Sequence, residues 1–230
     1  MLLYGLEKLS LVDYDGKVAA TVFTGACNFK CGFCHNGPLV NDVDSLNTFS
    51  EDDILSYFSA RKNILDGVCI TGGEPTLHKD LPFFIEKIKK IGLSVKLDTN
   101  GTNPEMIKSL FESGLCDYFA MDIKNDKETY AKTIGLPKYD TSKIEKSVDF
   151  FLTGKADYEF RTTLINEYHK KENMEKIAVW IKGAKKYFLQ KFKEVDTCLT
   201  HDLSEVPEKE ATEFIEIVKP YIPTAKLRGY

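Results

Sequence analysis

Several features are scarce in this 230-residue chain, and each scarcity excludes a class of protein. No apolar run approaches the ~20 residues of a membrane-spanning helix, so the sequence does not predict a membrane protein. Neither sign of charge dominates: 31 basic and 35 acidic residues leave a net charge of -4, which argues against a primary nucleic-acid or anionic-membrane surface. No internal repeat or low-complexity linker stands out, and we predict a single domain over residues 1–230.

The amino-terminal segment also lacks the features of a secretory signal. Residues 1–8, MLLYGLEK, have no basic start and reach an acidic residue at Glu7. Six cysteines are a modest number for this length, and half of them are clustered. We therefore expect a cytoplasmic protein whose thiols are kept reduced.

The clustered cysteines lie in residues 27–36, CNFKCGFCHN, directly after the apolar run 18–24 that is typical of a β-strand. A loop this short cannot bury three thiols in a core, but it can close around a metal centre. Iron–sulfur clusters are usually held by four cysteine thiolates, and this loop offers three, at spacing C-x3-C-x2-C. We predict a cluster bound by Cys27, Cys31 and Cys34, with one iron left open for chemistry, as catalytic metal sites require.

Other interpretations of the same residues remain open at this point. Residues 31–35, CGFCH, match the haem-attachment pattern C-x-x-C-H, but this leaves Cys27 unexplained and needs an exported protein. A zinc ion held by the three cysteines and His35 is awkward because Cys34 and His35 are adjacent. A disulfide is not expected in a reducing compartment.

Strand-like and helix-like patterns alternate along the rest of the chain, which predicts βα units on a parallel sheet. The first predicted strand covers residues 17–24, a polar connection covers residues 125–140, and residues 225–230 are expected to add an edge strand. About six units are predicted, whereas a complete eight-unit barrel typically needs ~250 residues. The predicted fold class is therefore α/β, a partial (β/α)6 TIM-like barrel that is open on one side.

Polar residues follow successive predicted strands at the ends where parallel βα proteins place their active sites. They are Glu74 after the turn Gly72-Gly73, then Asp98 and Asn100, then Asp122 and Lys124, with Arg161 inside the fifth strand. Each has a structural alternative: a tight turn for Gly72-Gly73, an Asx turn for Asp98 and Asn100, a solvated pair for Asp122 and Lys124, and a structural ion pair for Arg161. Their repetition at consecutive strand ends predicts a ligand site, because such sites gather a few convergent polar groups.

The loop CNFKCGFCHN and its surroundings resemble the radical S-adenosylmethionine (SAM) enzymes, and more specifically the activating enzymes of glycyl radical proteins. The resemblance covers roughly residues 9–230. It is greatest to the activating proteins of anaerobic ribonucleoside-triphosphate reductase, followed by the pyruvate formate-lyase activating enzymes. It implies a 4Fe–4S cluster and SAM as cofactors.

The resemblance also implies roles for the polar residues. The Gly72-Gly73-Glu74 turn would receive the amino group of SAM, since carbonyls and a carboxylate accept from an ammonium. Asp98 and Asn100 would contact the cofactor amine or ribose. The other implied contacts involve the adenine, carboxylate or substrate backbone, through Phe33, His35, Asp122, Lys124 and Arg161.

In the implied reaction, flavodoxin or ferredoxin reduces the cluster, SAM is cleaved reductively, and a glycyl radical forms on a partner enzyme. Pyruvate formate-lyase activators carry a histidine at the end of a late strand, where this chain has residues 190–193, QKFK. This departure favours anaerobic ribonucleotide reductase as the partner. The alternatives are a formate-lyase-type activator, a radical SAM enzyme acting on a small metabolite, and a non-catalytic iron–sulfur or zinc protein.

The remaining cysteines and three of the histidines receive no functional role from the sequence. Cys69, Cys116 and Cys198 are isolated and are expected to be small core residues, although Cys198 could be exposed in its connection. The histidines, predicted to be surface or local structural residues, are His78, His169 and His201.

Overall fold

The computed structural model describes all 230 residues, Met1–Tyr230. The chain forms eight β-strands and eight α-helices. The strands are β1 Leu3–Ser10, β2 Ala19–Thr24, β3 Gly67–Gly72, β4 Ser94–Thr99, β5 Tyr118–Asp122, β6 Tyr158–Leu164, β7 Tyr187–Lys191 and β8 Lys226–Arg228. The helices are α1 Gly37–Asn41, α2 Glu51–Arg61, α3 Leu81–Ile91, α4 Pro104–Glu112, α5 Tyr130–Thr133, α6 Ser142–Leu152, α7 Lys171–Trp180 and α8 Glu208–Val218.

The strands stand in the sheet in chain order, β1 to β8, with β1 and β8 at its two edges. Parallel pairing joins β2 to β3, β3 to β4, β6 to β7 and β7 to β8, whereas β1 pairs with β2 in the antiparallel direction. The six strands β2 to β7 are each followed by a helix of nine to eleven residues, namely α2, α3, α4, α6, α7 and α8. This confirms the α/β class with six βα units and an unclosed, mostly parallel sheet.

Local sequence explains where several helices begin and end. Ser50 caps α2 by accepting a hydrogen bond from the backbone N–H of Asp53, and Asn103 caps α4 in the same way before Pro104 at the first helical position. Gly92 ends α3 with φ +97°, a conformation that favours glycine. The central strands β2 and β3 are almost continuously buried, as strands covered on both faces must be.

The structure differs from the sequence expectations at three places. The strand β1 was not predicted, because its exposed Glu7 and Lys8 interrupt the apolar pattern of an edge strand. The short helices α1 and α5 lie in segments expected to be irregular connections, and each is too short to carry a helical hydrophobic period.

No helix is both long enough and apolar enough to cross a membrane.

The chain divides into two compact units. The first contains residues 1–28 and 38–120, and the second contains residues 29–37 and 121–230. Cys27 therefore belongs to the first unit, while Cys31 and Cys34 belong to the second. The single domain over residues 1–230 stays a prediction.

Candidate cluster and cofactor site

In the first unit, the turn Gly72-Gly73-Glu74 lies directly against the backbone that leads into the cysteine loop. The N–H of Gly73 donates to the carbonyl of Thr24 over 2.8 Å, and the N–H of Glu74 donates to the carbonyl of Ala26 over 2.7 Å. A Cβ atom on Gly73 would lie 1.9 Å from the Ala26 carbonyl oxygen. Gly72 has φ +117°, and a Cβ there would lie 2.4 Å from the backbone of Thr24. Both positions therefore require glycine, and the expected tight turn is also a close approach of two backbones.

The Glu74 carboxylate is buried and accepts hydrogen bonds from three residues of its own unit. Oε1 accepts from the backbone N–H and hydroxyl of Thr76 and from the hydroxyl of Thr99, and Oε2 accepts from the N–H of Asn100 over 2.6 Å. Burial raises the pKa of Glu74, and these hydrogen bonds oppose the rise. Glu74 thus fastens the end of β4 to the turn after β3, and its predicted contact with the SAM amino group stays a prediction.

Asn100 faces the first cysteine through a small amide network. Its Nδ2 donates to Asn28 Oδ1 over 2.8 Å and lies 3.9 Å from the Sγ of Cys27. Its Oδ1 accepts from the N–H and hydroxyl of Thr102, and that hydroxyl also receives a bond from Asn28. Asn28 and Thr102 are functional candidates that sequence reasoning missed, although Asn28 adjoins the first cysteine.

Asp98 precedes this network at the end of β4 and is held by a neighbour on its own strand. Its carboxylate lies 3.1 Å from the ammonium of Lys96, whose side chain is 6% exposed. The structure thus shows Asp98 in an ion pair, while its predicted contact with the cofactor stays a prediction.

In the second unit, residues 29–37 of the cysteine loop are held from two directions. On one side, the N–H of Lys30 donates to the carbonyl of Ile134 over 2.9 Å. On the other, the N–H of Thr200 donates to the carbonyl of Gly32 over 3.0 Å, and the Thr197 hydroxyl donates to the carbonyl of His35 over 2.5 Å. The loop backbone around Cys31 and Cys34 is therefore fixed by protein contacts.

A charged triad in the same unit is formed by residues at and after the end of β5 and by one residue in the middle of β6. Asp122 accepts from the ammonium of Lys124 over 2.8 Å and from Nε of Arg161 over 2.9 Å. Burial opposes ionisation of Asp122, but the two cations overcome it and lower its pKa to about 2. Burial likewise works against the charge on Lys124, yet Asp122 and the nearby Cys31 raise its pKa. Three predicted site residues thus form one cluster with a net positive charge, and that charge interacts electrostatically with Cys31.

Phe33 and His35, the two rings that are predicted to contact adenine, have different environments. Phe33 is buried, with the Lys124 ammonium 5.8 Å from its ring centre and the Tyr168 ring at 6.3 Å. His35 is exposed and stacks on Phe192 at 5.8 Å. The structure therefore brings Phe33 to the triad, while His35 contacts the segment after β7, and their roles toward adenine stay predictions.

All six cysteines are free. No group of three or more His, Cys, Asp or Glu side chains is arranged to hold a single metal ion. A 4Fe–4S cluster makes a different demand, because each thiolate binds a separate iron and the sulfurs need not meet at one point. In the second unit, the free thiols of Cys31 and Cys34 lie on a held loop and experience the positive charge of Lys124, which fits two ligands of such a cluster.

Comparison with known proteins agrees with the predicted 4Fe–4S cluster. Residues 21–182 match the radical SAM superfamily. A protein of Methanocaldococcus jannaschii, named as a glycyl-radical enzyme activating enzyme, is 33% identical over 236 residues, covering 99% of this chain and 95% of the relative. The chain belongs to the radical SAM superfamily and, within it, to the family of glycyl-radical enzyme activating enzymes.

Solved structures show the same fold at low sequence identity. A domain of the pyruvate-formate lyase-activating enzyme from Bacteroides vulgatus matches with a TM-score of 0.58 and 20% identity, covering 71% of this chain and 99% of that domain. Streptococcus suis SuiB bound to S-adenosylmethionine matches with a TM-score of 0.70 and 17% identity, covering 90% of this chain and 49% of that protein. As a member of the superfamily, the protein is an enzyme that uses a 4Fe–4S cluster and SAM.

Proposed function

We propose that this enzyme generates a glycyl radical on a partner protein, and that the partner is anaerobic ribonucleotide reductase. The single observation that carries the activase function is the similarity to an activating enzyme over 99% of the chain. The choice of partner rests on residues 190–193, which offer no histidine at the end of β7. The proposal includes a flavodoxin or ferredoxin as electron donor and a cytoplasmic location.

The proposal assigns the cluster to Cys27, Cys31 and Cys34. When bound, the reduced cluster supplies the electron that cleaves SAM into methionine and the 5′-deoxyadenosyl radical that takes a hydrogen atom from glycine. The protein contributes binding and orientation, since the cofactors carry the chemistry. Lys124, beside Cys31 and Cys34, would bind the SAM carboxylate, with Asp122 holding its ammonium in place.

The remaining proposed contacts with SAM are assigned for each unit separately. In the first unit, the Gly72-Gly73-Glu74 turn would receive the SAM amino group, and Asp98 and Asn100 would contact its amine or ribose. In the second unit, Phe33 and His35 would lie against adenine. Arg161 would act through Asp122, whose second oxygen it holds.

The ligand assignment is tested by a matched pair of cysteine variants. We expect Cys31→Ala to lose cluster iron, whereas Cys69→Ala, which removes a thiol buried within β3, retains it. Iron and sulfide content and the visible absorption band after anaerobic reconstitution measure the difference. Equal iron retention in both variants would remove Cys31 from the ligand set.

The function is tested with a panel of candidate partners under anaerobic conditions. The panel contains anaerobic ribonucleotide reductase and pyruvate formate-lyase, each with a control in which the radical-bearing glycine is replaced by alanine. We expect an electron paramagnetic resonance signal of a glycyl radical on the reductase, absent from the alanine control, together with 5′-deoxyadenosine. A radical on the formate-lyase alone would reject the proposed partner but retain the activase function. Cleavage of SAM with every partner silent would favour a small-metabolite substrate.

A further inference from the structure

The backbone of Lys124 is held by two buried side chains that the proposed cofactor contacts do not include. The N–H of Lys124 donates to the hydroxyl of Tyr130 over 3.2 Å. The carbonyl of Lys124 lies 2.9 Å from Nε2 of His169. Both side chains have 0% exposure, so water does not substitute for either hydrogen bond.

The surroundings of His169 define which ring nitrogen carries the proton. The N–H of Ile165 donates to Nδ1 over 2.9 Å, which makes Nδ1 an acceptor. The carbonyl of Ile165 is 3.2 Å from the same nitrogen but already accepts from the backbone N–H of His169. The neutral ring therefore has its proton on Nε2 and donates it to the carbonyl of Lys124. Burial lowers the pKa of His169 to about 4, so the ring is neutral near pH 7.

The residues on either side of Lys124 are held as well. The carbonyl of Ile123 accepts from the Thr162 hydroxyl over 2.7 Å. The Asn125 amide donates to the carbonyl of Tyr168 over 3.1 Å. Lys124 therefore lies in a short segment, residues 123–125, in which each residue is held by at least one hydrogen bond.

We propose that His169 and Tyr130 are positioning residues for Lys124, which hold its backbone so that the ammonium stays paired with Asp122, over the Phe33 ring and ready for the carboxylate of SAM. This inference rests on the proposed function, because it takes Lys124 as a ligand of the cofactor. Neither side chain is proposed to touch SAM. A buried hydrogen bond from each side leaves the Lys124 peptide little freedom to rotate, and positional precision of this kind governs how a bound substrate is aligned.

Two substitutions at position 169 separate the two hydrogen bonds of the ring. His169→Gln can place an amide N–H near the Nε2 position and retain the bond to the Lys124 carbonyl. His169→Asn is shorter, so it can serve the Ile165 N–H but not Lys124. Tyr130→Phe removes the hydroxyl opposite the Lys124 N–H and keeps the ring. The control is His201→Gln, because His201 is exposed and pairs with Glu194.

The measurement is the dissociation constant of SAM for the reconstituted enzyme, with iron content and Tm determined in parallel. We expect His169→Asn and Tyr130→Phe to weaken SAM binding by about fivefold each, since a hydrogen bond contributes ~1 kcal/mol and 1.4 kcal/mol is tenfold. His169→Gln should stay close to wild type, and iron content should be unchanged in all variants. If Asn and Gln at position 169 weaken binding equally, or if neither does, the positioning role is overturned.

The proposed function and this inference fail in distinguishable ways. If the wild-type enzyme binds and cleaves SAM but produces no radical on any partner, the activase proposal fails while the SAM-binding comparison still decides the inference. If the partner radical forms and the variants bind SAM as wild type does, the inference fails and the activase function stands.

Discussion

Two carboxylates in this enzyme have contrasting electrostatic environments. In the first unit, Glu74 is surrounded by neutral donors, and burial raises its pKa. In the second unit, Asp122 is bonded by Lys124 and Arg161, and its pKa falls to about 2 despite burial. Hydroxyl and amide dipoles offset only part of the loss of water around a charge, whereas two full positive charges more than offset it.

The comparison therefore has a geometric half in the first unit and an electrostatic half in the second unit. Around Glu74, position depends on backbones that approach closely at Gly72 and Gly73. Around Asp122, position depends on ion pairs that balance one another. The two halves should therefore respond differently to small changes in size and in charge.

The largest expected effect is steric and belongs to the first half. Gly73→Ala would place a Cβ 1.9 Å from the Ala26 carbonyl, and a backbone cannot give way as a flexible side chain can. We expect a loss of at least ~3 kcal/mol in the free energy of unfolding, from urea titration of the metal-free protein. The control is Gly92→Ala, where φ is positive but no atom lies within 4 Å of the new Cβ, whereas Gly73 has no positive φ and only the close approach to Ala26 opposes a side chain. Gly92→Ala should cost about 1 kcal/mol, and an equal cost for Gly73→Ala would mean that the backbone at Ala26 gives way to the new Cβ.

The next effect is electrostatic and belongs to the second half. Asp122→Asn keeps the shape of the side chain but leaves Lys124 and Arg161 facing each other without their shared anion. We expect a loss of about 2–3 kcal/mol in the free energy of unfolding, at the low end for a broken buried pair because the Asp122 side chain is 27% exposed. Glu86→Gln, in the exposed pair with Lys90, is the charge-matched control and should leave the stability nearly unchanged. Equal effects at the two positions would contradict the importance of the triad.

Acid should separate wild type from the same Asp122 variant. The folded-state pKa of Asp122 is about 2, below its ordinary value of 3.8, so its contribution to stability is present above pH ~3.8 and is lost as pH falls toward 2. Between these values, metal-free wild type should lose ~2 kcal/mol more than Asp122→Asn. Urea titrations at pH 5 and at pH 2.5 measure most of this difference. Parallel losses in the two proteins would show that the triad does not hold Asp122 ionised.

The smallest effect is expected at Glu74. Glu74→Gln keeps the size of the side chain but turns one acceptor oxygen into a donor, which then meets a backbone N–H from Thr76 or Asn100. We expect a cost of about 1–2 kcal/mol in the free energy of unfolding, less than for Asp122→Asn because glutamine also removes a charge whose burial is unfavourable. Thermal unfolding of both variants at pH 7 gives the order, and a reversed order would break the distinction between the two halves.

The sequence predicted most of the helices and strands because their hydrophobic periods are strong. It also predicted that Asp122, Lys124 and Arg161 belong to one site, since the first two lie at the end of one predicted strand and Arg161 lies within the next. It gave His169 no partner, because hydrogen bonds to the carbonyl of a residue 45 positions away leave no local pattern. It likewise missed β1, where an edge strand with charged residues has no regular alternation.

The order and spacing of residues alone determined the α/β class, the three-cysteine loop and the assignment to radical SAM chemistry, because cysteine spacing and strand-end residues are local properties of the chain. Tertiary structure decided how each carboxylate is used. Glu74 meets hydroxyls and amides while Asp122 meets two cations, and the partner of a buried charge depends on which distant segments fold against it. The same physical reason turns His169 from a residue without a role into a support for Lys124.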